Sequence, residues 1–269
     1  MRPTDLPTAP QPLKPPLKWA GGKRWLVPVL RELWHPYSNR RRLVEPLCGG
    51  MAVTLGLAPE RSLLNDINPH PINFYRHLQR GLRTRIPMRN EAALFYRHRA
   101  RFNRLIERRR AEGVEAAALF YYLNRTGYNG LCRFNRKGQF NVPFGRYQRI
   151  NYVRDFTPYA GMFARWELMN CDFAALSLER GDFVYADPPY DVEFTQYSSE
   201  GFGWDEQVRF AEWLARHDGP VVLSNQATGR IVELYQRLGF GLRFLDAPRR
   251  ISCTGDRSRA PEVLALKGL

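Results

Sequence analysis

Asp187-Pro188-Pro189-Tyr190 follows directly on an apolar run, Phe183-Val184-Tyr185-Ala186, that reads as a strand. In an open α/β sheet, ligands bind beyond the carboxyl ends of the strands, so this tetrapeptide is expected in a cleft. Two successive prolines have fixed φ and no N–H, which stiffens the turn and leaves the Pro188 carbonyl open to accept a hydrogen bond. A carboxylate and a carbonyl held beside an aromatic ring suit a planar exocyclic amine. Asp187 and the Pro188 carbonyl would each accept one N–H, drawing the nitrogen toward pyramidal geometry and freeing its lone pair, while Tyr190 stacks on the ring. That chemistry requires no acidic nucleophile and no metal. An ordinary strand-ending turn has the same composition, since Asp-Pro and Pro-Pro are common loop punctuation; the neighbouring motifs decide between the two.

Glu45-Pro46-Leu47-Cys48-Gly49-Gly50 is the second candidate, followed some twenty residues later by Asp66 at the end of the next expected strand. A Gly-rich turn lets backbone approach a ligand closely, and an acid at the second strand end binds ribose hydroxyls. The dinucleotide fingerprint G-x-G-x-x-G is absent, which favours another nucleoside-containing cofactor over a nicotinamide one. In Leu17-Lys18-Trp19-Ala20-Gly21-Gly22-Lys23, two glycines between two lysines permit a turn that presents amides to an anion or a cofactor carboxylate. A loop joining a tail to the core is the plain alternative.

These residues need a scaffold, and the chain is large enough to build one. Its 269 residues are 44% hydrophobic and 25% charged, the composition of a globular protein with a full-sized core. No apolar run of about 18 residues reads as a membrane span. The Pro-rich start, residues 1–16, reads as a flexible tail without signal-peptide character, so a cytoplasmic protein is expected. Cys48, Cys132, Cys171 and Cys253 lack metal or redox spacing and read as reduced thiols. His35, His70, His77, His98 and His217 show no ligand spacing either, so no metal is expected.

The net charge of +15 is regional: Arg76 to Arg149 holds 18 basic and 4 acidic residues, a surplus of 14. A solvated helix face or a patch for acidic membranes would carry such charge, but its weaving with Tyr, Phe and Asn points to a surface that meets phosphate and stacks on bases. Within this segment Phe95, His98, Phe102, Leu105, Ile106 and Arg109 recur at helical spacing, Ala116 to Leu123 reads as a second helix, and the alternation around Lys137-Gly138 reads as a β-hairpin. On either side the pattern is α/β. Strands are expected at 42–48, 62–66, 182–186, 220–224, 240–245 and 262–266, with helices at 52–58, 205–217 and 228–238. That order implies a mainly parallel sheet covered on both faces, interrupted by a basic helical and hairpin insert.

Lys18-Trp-Ala-Gly-Gly-Lys, Glu45-Pro, Asn65-Asp66-Ile67-Asn68, the block from Tyr122 to Asn135, Phe140-Asn-Val-Pro-Phe-Gly-Arg-Tyr and Asp187-Pro-Pro-Tyr occur in the order found in Dam-type (D12 class) DNA adenine-N6 methyltransferases. The chain resembles that family over roughly residues 17 to 267, and the two long central blocks are highly specific. Arg250-Ile-Ser and Leu264-Ala-Leu also look like the family's closing hairpin. The resemblance implies a Rossmann-like methyltransferase sheet that binds S-adenosylmethionine, formed by residues 17–75 and 155–269, with a target-recognition domain inserted at 76–154. By resemblance Trp19, Lys23, Glu45, Leu47, Gly49, Asp66 and Asp187 serve the cofactor, and Asp187, Pro188, Pro189 and Tyr190 hold the target adenine. Leu47 stands where the family usually has Phe, and Met51 where it usually has a second Gly.

A base inside a duplex cannot be methylated on its amine, so the adenine must leave the stack at a cost of a few kcal/mol. By resemblance Tyr128 enters the gap with Asn129 beside it, Arg133 pairs bidentately with a guanine, Leu131 and Pro143 touch a thymine methyl, and Lys18 meets another guanine. Asn124, Arg146 and Tyr147 complete the expected DNA contacts. This implies a GATC-like site in double-stranded DNA, read by a monomer. A phosphate contact for Arg133 and a packing role for Tyr128 are the plain alternatives, and Arg249, Arg250, Arg257 and Arg259 suit either phosphate contact or solubility. Two other functions fit the Asp-Pro-Pro-Tyr loop: an RNA or protein amide methyltransferase, and a DNA-binding relative that has lost catalysis.

Overall fold

In the computed structural model, which describes residues 12–191, 202–247 and 260–269, seven strands form one sheet in the order β3-β2-β1-β4-β5-β7-β6. They are β1 (Leu43–Glu45), β2 (Ser62–Asn65), β3 (Trp166–Met169), β4 (Phe183–Ala186), β5 (Val221–Gln226), β6 (Gly241–Ala247) and β7 (Ala260–Lys267). The first five run parallel, whereas β7 lies antiparallel between β5 and β6. β1, β2 and β4 are buried along their whole length, as near-continuous apolar runs flanked by helices on both faces should be.

The helices are α1 (Val27–Trp34), α2 (Ala52–Leu57), α3 (Pro69–Gln79), α4 (Ala92–Glu107), α5 (Val114–Thr126), α6 (Thr157–Phe163), α7 (Trp204–Ala215) and α8 (Gly229–Arg237). Asn68 caps α3 by accepting from the His70 amide, with Pro69 opening the helix. α4 buries Leu94 with Phe95, His98 and Phe102 of the expected stripe; Leu105 and Ile106 are half-buried, and Arg109 is exposed beyond the helix end with φ +53, off the stripe. The hairpin at 133–141 is a single bridge, Phe134 to Phe140, around a turn in which Gly138 has φ +71 and Asn135 accepts from the Lys137 and Gln139 amides.

Two boundaries differ from the sequence reading. Residues 13–16 are docked on the core: the Leu13 amide donates to Leu55, Tyr159 donates to the Lys14 carbonyl, and Pro16 is buried. Position 76, the expected start of the insert, falls inside α3. One apolar cluster also runs from Leu17, Met51 and Leu64 through Ile72 and Phe74 to Phe102, Leu119 and Phe140. The basic insert therefore shares its interior with the sheet. β3, α1, α3 and α6 were not called from the sequence. β3 in particular is a four-residue edge strand with Glu167 exposed, and it lacks the apolar run that marked its neighbours.

Candidate active site

Strand order reverses between β1 and β4, which lie side by side with β2 and β3 on one flank and β5 on the other. A crevice forms at such a switch point beyond the carboxyl ends of the strands. The turn after β1 and the Asp187 loop after β4 both open there.

In the turn after β1, the Cys48 amide donates to the Asn65 carbonyl at 2.7 Å, tying the turn to β2. Gly49 has φ +44, and its amide donates to Asp66 Oδ2 at 3.0 Å while the Asn68 amide donates to Oδ1 at 2.8 Å. Burial pushes the Asp66 carboxyl above its ordinary value, against the pull of those two amides. Trp19 lies flat against Gly49 and Gly50, where added Cβ atoms would stand 2.5 Å from its Nε1 and 2.6 Å from its Cβ. Met51, where the resemblance expects Gly, is fully buried in the left-handed region at φ 53, ψ 34. An L-residue there costs about 1–2 kcal/mol, which the buried side chain offsets.

Beyond β4, Lys23 Nζ donates to Asp187 Oδ1 at 2.6 Å, and Ser224 Oγ donates to the same oxygen at 2.9 Å. Oδ2 has no hydrogen-bond partner among the described residues, nor has the Pro188 carbonyl. Gln207 instead donates to the Pro189 carbonyl at 2.6 Å, and is itself held by Asn225 at 3.1 Å. Tyr190 donates to Glu262 Oε2, and its ring lies 4.5 Å from Lys23 Nζ. Glu262 Oε1 stands 3.5 Å from Lys23 Nζ, at ion-pair range but beyond a good hydrogen bond. Burial lowers the affinity of Lys23 for its proton, but Asp187 and Glu262 outweigh it and hold the ammonium charged. Burial raises the Glu262 and Tyr190 values.

The structure thus gathers Lys23, Asp187, Pro188 and Tyr190, and sets Trp19, Gly49 and Asp66 along the adjoining wall. Ser224 and Glu262 join them without having been singled out from the sequence. Their signal was a polar side chain inside an otherwise apolar strand, Val-Val-Leu-Ser and Glu-Val-Leu-Ala-Leu. Two expected cofactor residues stand differently. Glu45 is fully buried and turned toward α2, accepting from the Thr54 amide at 2.7 Å and from the Thr54 hydroxyl. Burial pushes its carboxyl up to about 8. Leu47 packs against the cluster that includes Phe173 and Phe210.

The expected DNA residues cluster around the end of α5. Asn124 is buried and holds Lys18 at both its amide and its carbonyl, each at 2.8 Å, so its amide is turned away from solvent and any base. Lys18 Nζ donates to the Arg125 carbonyl at 3.0 Å and sits 3.5 Å above the Tyr147 ring, whose hydroxyl donates to Gly127. Tyr128 and Asn129 are exposed at the tip beyond α5, Asn129 with φ +50, and the Tyr128 amide donates to Pro143 at 2.9 Å. Asn141 Oδ1 accepts from Arg133 Nε at 2.8 Å. Leu131 is half-buried, and Arg146 is exposed with φ +52. Arg249, Arg250, Arg257 and Arg259 lie outside the described residues.

The model of the D12 class N6 adenine-specific DNA methyltransferases matches residues 19–249. The DNA adenine methylase of Escherichia coli (strain K12) is 35% identical over 270 residues, covering 93% of this chain and 94% of that protein. The Retron Ec67 DNA adenine methylase of Escherichia coli is 34% identical over 267 residues, covering 94% and 90%. The DNA N-6-adenine-methyltransferase of Escherichia phage P1 is 34% identical over 268 residues; the match covers 93% of this chain but spans 35% of the phage protein's length. With the match running from Trp19 through the Asp187 loop, the chain belongs to the D12 class of N6 adenine-specific DNA methyltransferases.

Proposed function

We propose that this enzyme methylates N6 of the adenine in GATC or a closely related duplex site after turning that base out of the helix. The observation that carries the reading is the acceptor pair after β4. Lys23 and Ser224 both hold Asp187 Oδ1, which leaves Oδ2 and the Pro188 carbonyl, neither with a hydrogen-bond partner among the described residues, as two acceptors for one amine. Tyr190, anchored by Glu262, supplies the stacking face. With both N–H groups engaged, the nitrogen lone pair points away from the acceptors, toward the wall formed by Trp19, Gly49 and Asp66.

S-adenosylmethionine is the family's cofactor, and when bound it supplies an electrophilic methyl carbon on a sulfonium. The wall fits it. The close approach of Trp19 to Gly49 and Gly50 leaves backbone exposed where a Cβ would intrude, and Asp66, fixed by two amides, suits a pair of ribose hydroxyls. Asp187, one half of the acceptor pair, is proposed to meet the cofactor as well.

The segment 76–154 is proposed to read the DNA. Exposed Tyr128 suits the gap left by an extruded base, repaying part of the few kcal/mol of unstacking. Arg133, oriented through Asn141, suits a guanine edge at about 1–3 kcal/mol of discrimination, and Lys18, seated on Tyr147, suits another. Leu131 and Pro143 are proposed to touch a thymine methyl, and exposed Arg146 a phosphate. One chain holds every residue named, in keeping with a monomer acting on DNA in the cytoplasm, and among the described residues no helix is long and apolar enough to cross a membrane.

Asp187→Ala is expected to abolish methyl transfer to a duplex carrying one GATC while DNA affinity stays within about threefold, less than 1 kcal/mol. Transfer by the variant at near-normal rate would overturn the acceptor-pair mechanism. Equal transfer by the intact enzyme to a duplex without GATC would overturn the specificity.

A further inference from the structure

A cleft of about 630 Å³ opens far from this site, between the end of α3, the loop at 80–86, the middle of α4 and the first turn of α5. Its floor is apolar, with Leu82, Ile86 and Ala118. Its rim is Arg80, Arg83, Arg85 and Arg101. Arg101 is paired with Glu115, whereas Arg80, Arg83 and Arg85 are exposed and have no acidic partner among the described residues. Such a cluster of like charges is unfavourable unless an anion joins it.

The arginines continue onto α4. Arg97, Arg101, Arg104 and Arg108 recur at i, i+4, i+7 and i+11, a stripe about 16 Å long at 1.5 Å per residue. Of these only Arg101 has an acidic partner among the described residues. The hairpin is carried on another face of the same helix. Arg99 donates to Val142, Asn103 is bonded to Phe140 through both ends of its amide, and Glu107 accepts from Gln139. At 100° per residue the four arginines centre about 130° around the helix from Arg99, Asn103 and Glu107, so the middle of the stripe faces away from the side that carries the hairpin. The cleft is also remote from Lys18. Val114 and Ala118 belong to the first turns of α5, while Asn124 and Arg125 close its other end.

We propose that this arginine cleft and stripe bind the phosphate backbone of a second DNA duplex, separate from the one carrying the target base. Guanidinium forks match phosphate oxygens, and among the described residues lining the cleft there is no Phe, Tyr or Trp and a single imidazole, His77, so the surface suits backbone more than bases. One straight duplex cannot touch both faces of α4. The function is to keep the enzyme on DNA while the hairpin exchanges one segment for another, which makes affinity for long DNA depend on a surface that never meets the reacting site. The inference goes beyond the GATC reading and does not depend on it.

The test is a triple variant, Arg80→Ser with Arg83→Ser and Arg85→Ser, compared with the unaltered enzyme. Titration of the unaltered enzyme with short fluorescent duplexes should give two bound per chain, and the variant one. The slope of log affinity against log salt for long non-specific DNA should fall by about 2.7, at about 0.9 per lost phosphate contact. Methylation of a short duplex with a single site should stay within twofold, showing an intact fold and reaction site. Unchanged stoichiometry and salt slope would overturn the proposal. So would an equal loss of methylation on the short duplex, which would place the cleft on the target's own segment. Tripolyphosphate bound by the unaltered enzyme, lost in the variant and not displaced by DNA would also overturn it, making the cleft a small-anion site. Methylation that ignores GATC would overturn the specificity reading alone.

Discussion

Two buried glutamates show how little residue type says without its neighbours. Glu262 faces a cation and a phenol across the crevice, whereas Glu45 faces only Thr54. Lacking a cation, Glu45 holds its proton up to about 8, with burial as the main cause and the Asp187 charge adding to it against the Thr54 bonds. In the unfolded chain it ionises near its ordinary value of 4.5. Between those values the folded state binds the extra proton, so this contribution is full below about 4.5 and is lost as pH rises toward 8, at up to about 1.4 kcal/mol per pH unit. Glu45→Gln, which keeps the Thr54 acceptor without a charge, should flatten that slope. Urea midpoints at pH 5, 6.5 and 8 measure it, and equal slopes for both proteins would refute the assignment. The acid that ends β1 thus bonds α2, a role that its place in a Gly-rich motif did not disclose.

At the scale of elements, the turn between β1 and α2 holds the proposed cofactor wall by close packing. Gly50→Ala would put a methyl group 2.6 Å from Trp19 Cβ. Overpacking of this kind costs about 1–3 kcal/mol, and because the clash is with Trp19 Cβ, rotating the indole does not relieve it and the Trp19 backbone must shift. S-adenosylmethionine affinity should therefore weaken about tenfold, equivalent to about 1.4 kcal/mol, with the circular dichroism spectrum unchanged. Calorimetric titration giving the same affinity would show that Trp19 does not form the wall. β1, β2, β4 and β5 were legible because strands buried on both faces are written as unbroken apolar runs, and Asp66 and Asp187 were legible because they end such runs. α1, α3 and α6 were not. Their stability comes from tertiary packing: Leu30 and Trp34 lie under the sheet and Phe74 stacks on Tyr121, contacts between residues far apart in the chain. Ser224 and Glu262 stayed hidden for the same reason, since their meaning arises only when β5 and β7 pair.

Across the whole molecule, the sheet and the basic segment fold around one interior. Leu17 and Met51 from one side share a cluster with Phe102, Leu119 and Phe140 from the other. Urea unfolding followed by tryptophan fluorescence and by circular dichroism should give a single coincident transition. Trp19, Trp25, Trp34, Trp166, Trp204 and Trp213 all lie outside residues 76–154, whereas α4 and α5 inside it contribute much of the helix signal. Separated transitions would mean two independent units. The acceptor pair has a counterpart in time. Lys23, which holds Asp187, and Glu262, which anchors Tyr190, come from opposite ends of the numbering and meet only when β7 slots between β5 and β6. Contacts between α4 and α5 join residues near in sequence, whereas such distant partners must wait for slow, long-range pairing. Until β7 is seated Tyr190 lacks its Glu262 anchor, so the proposed acceptor site is complete only in the fully folded molecule.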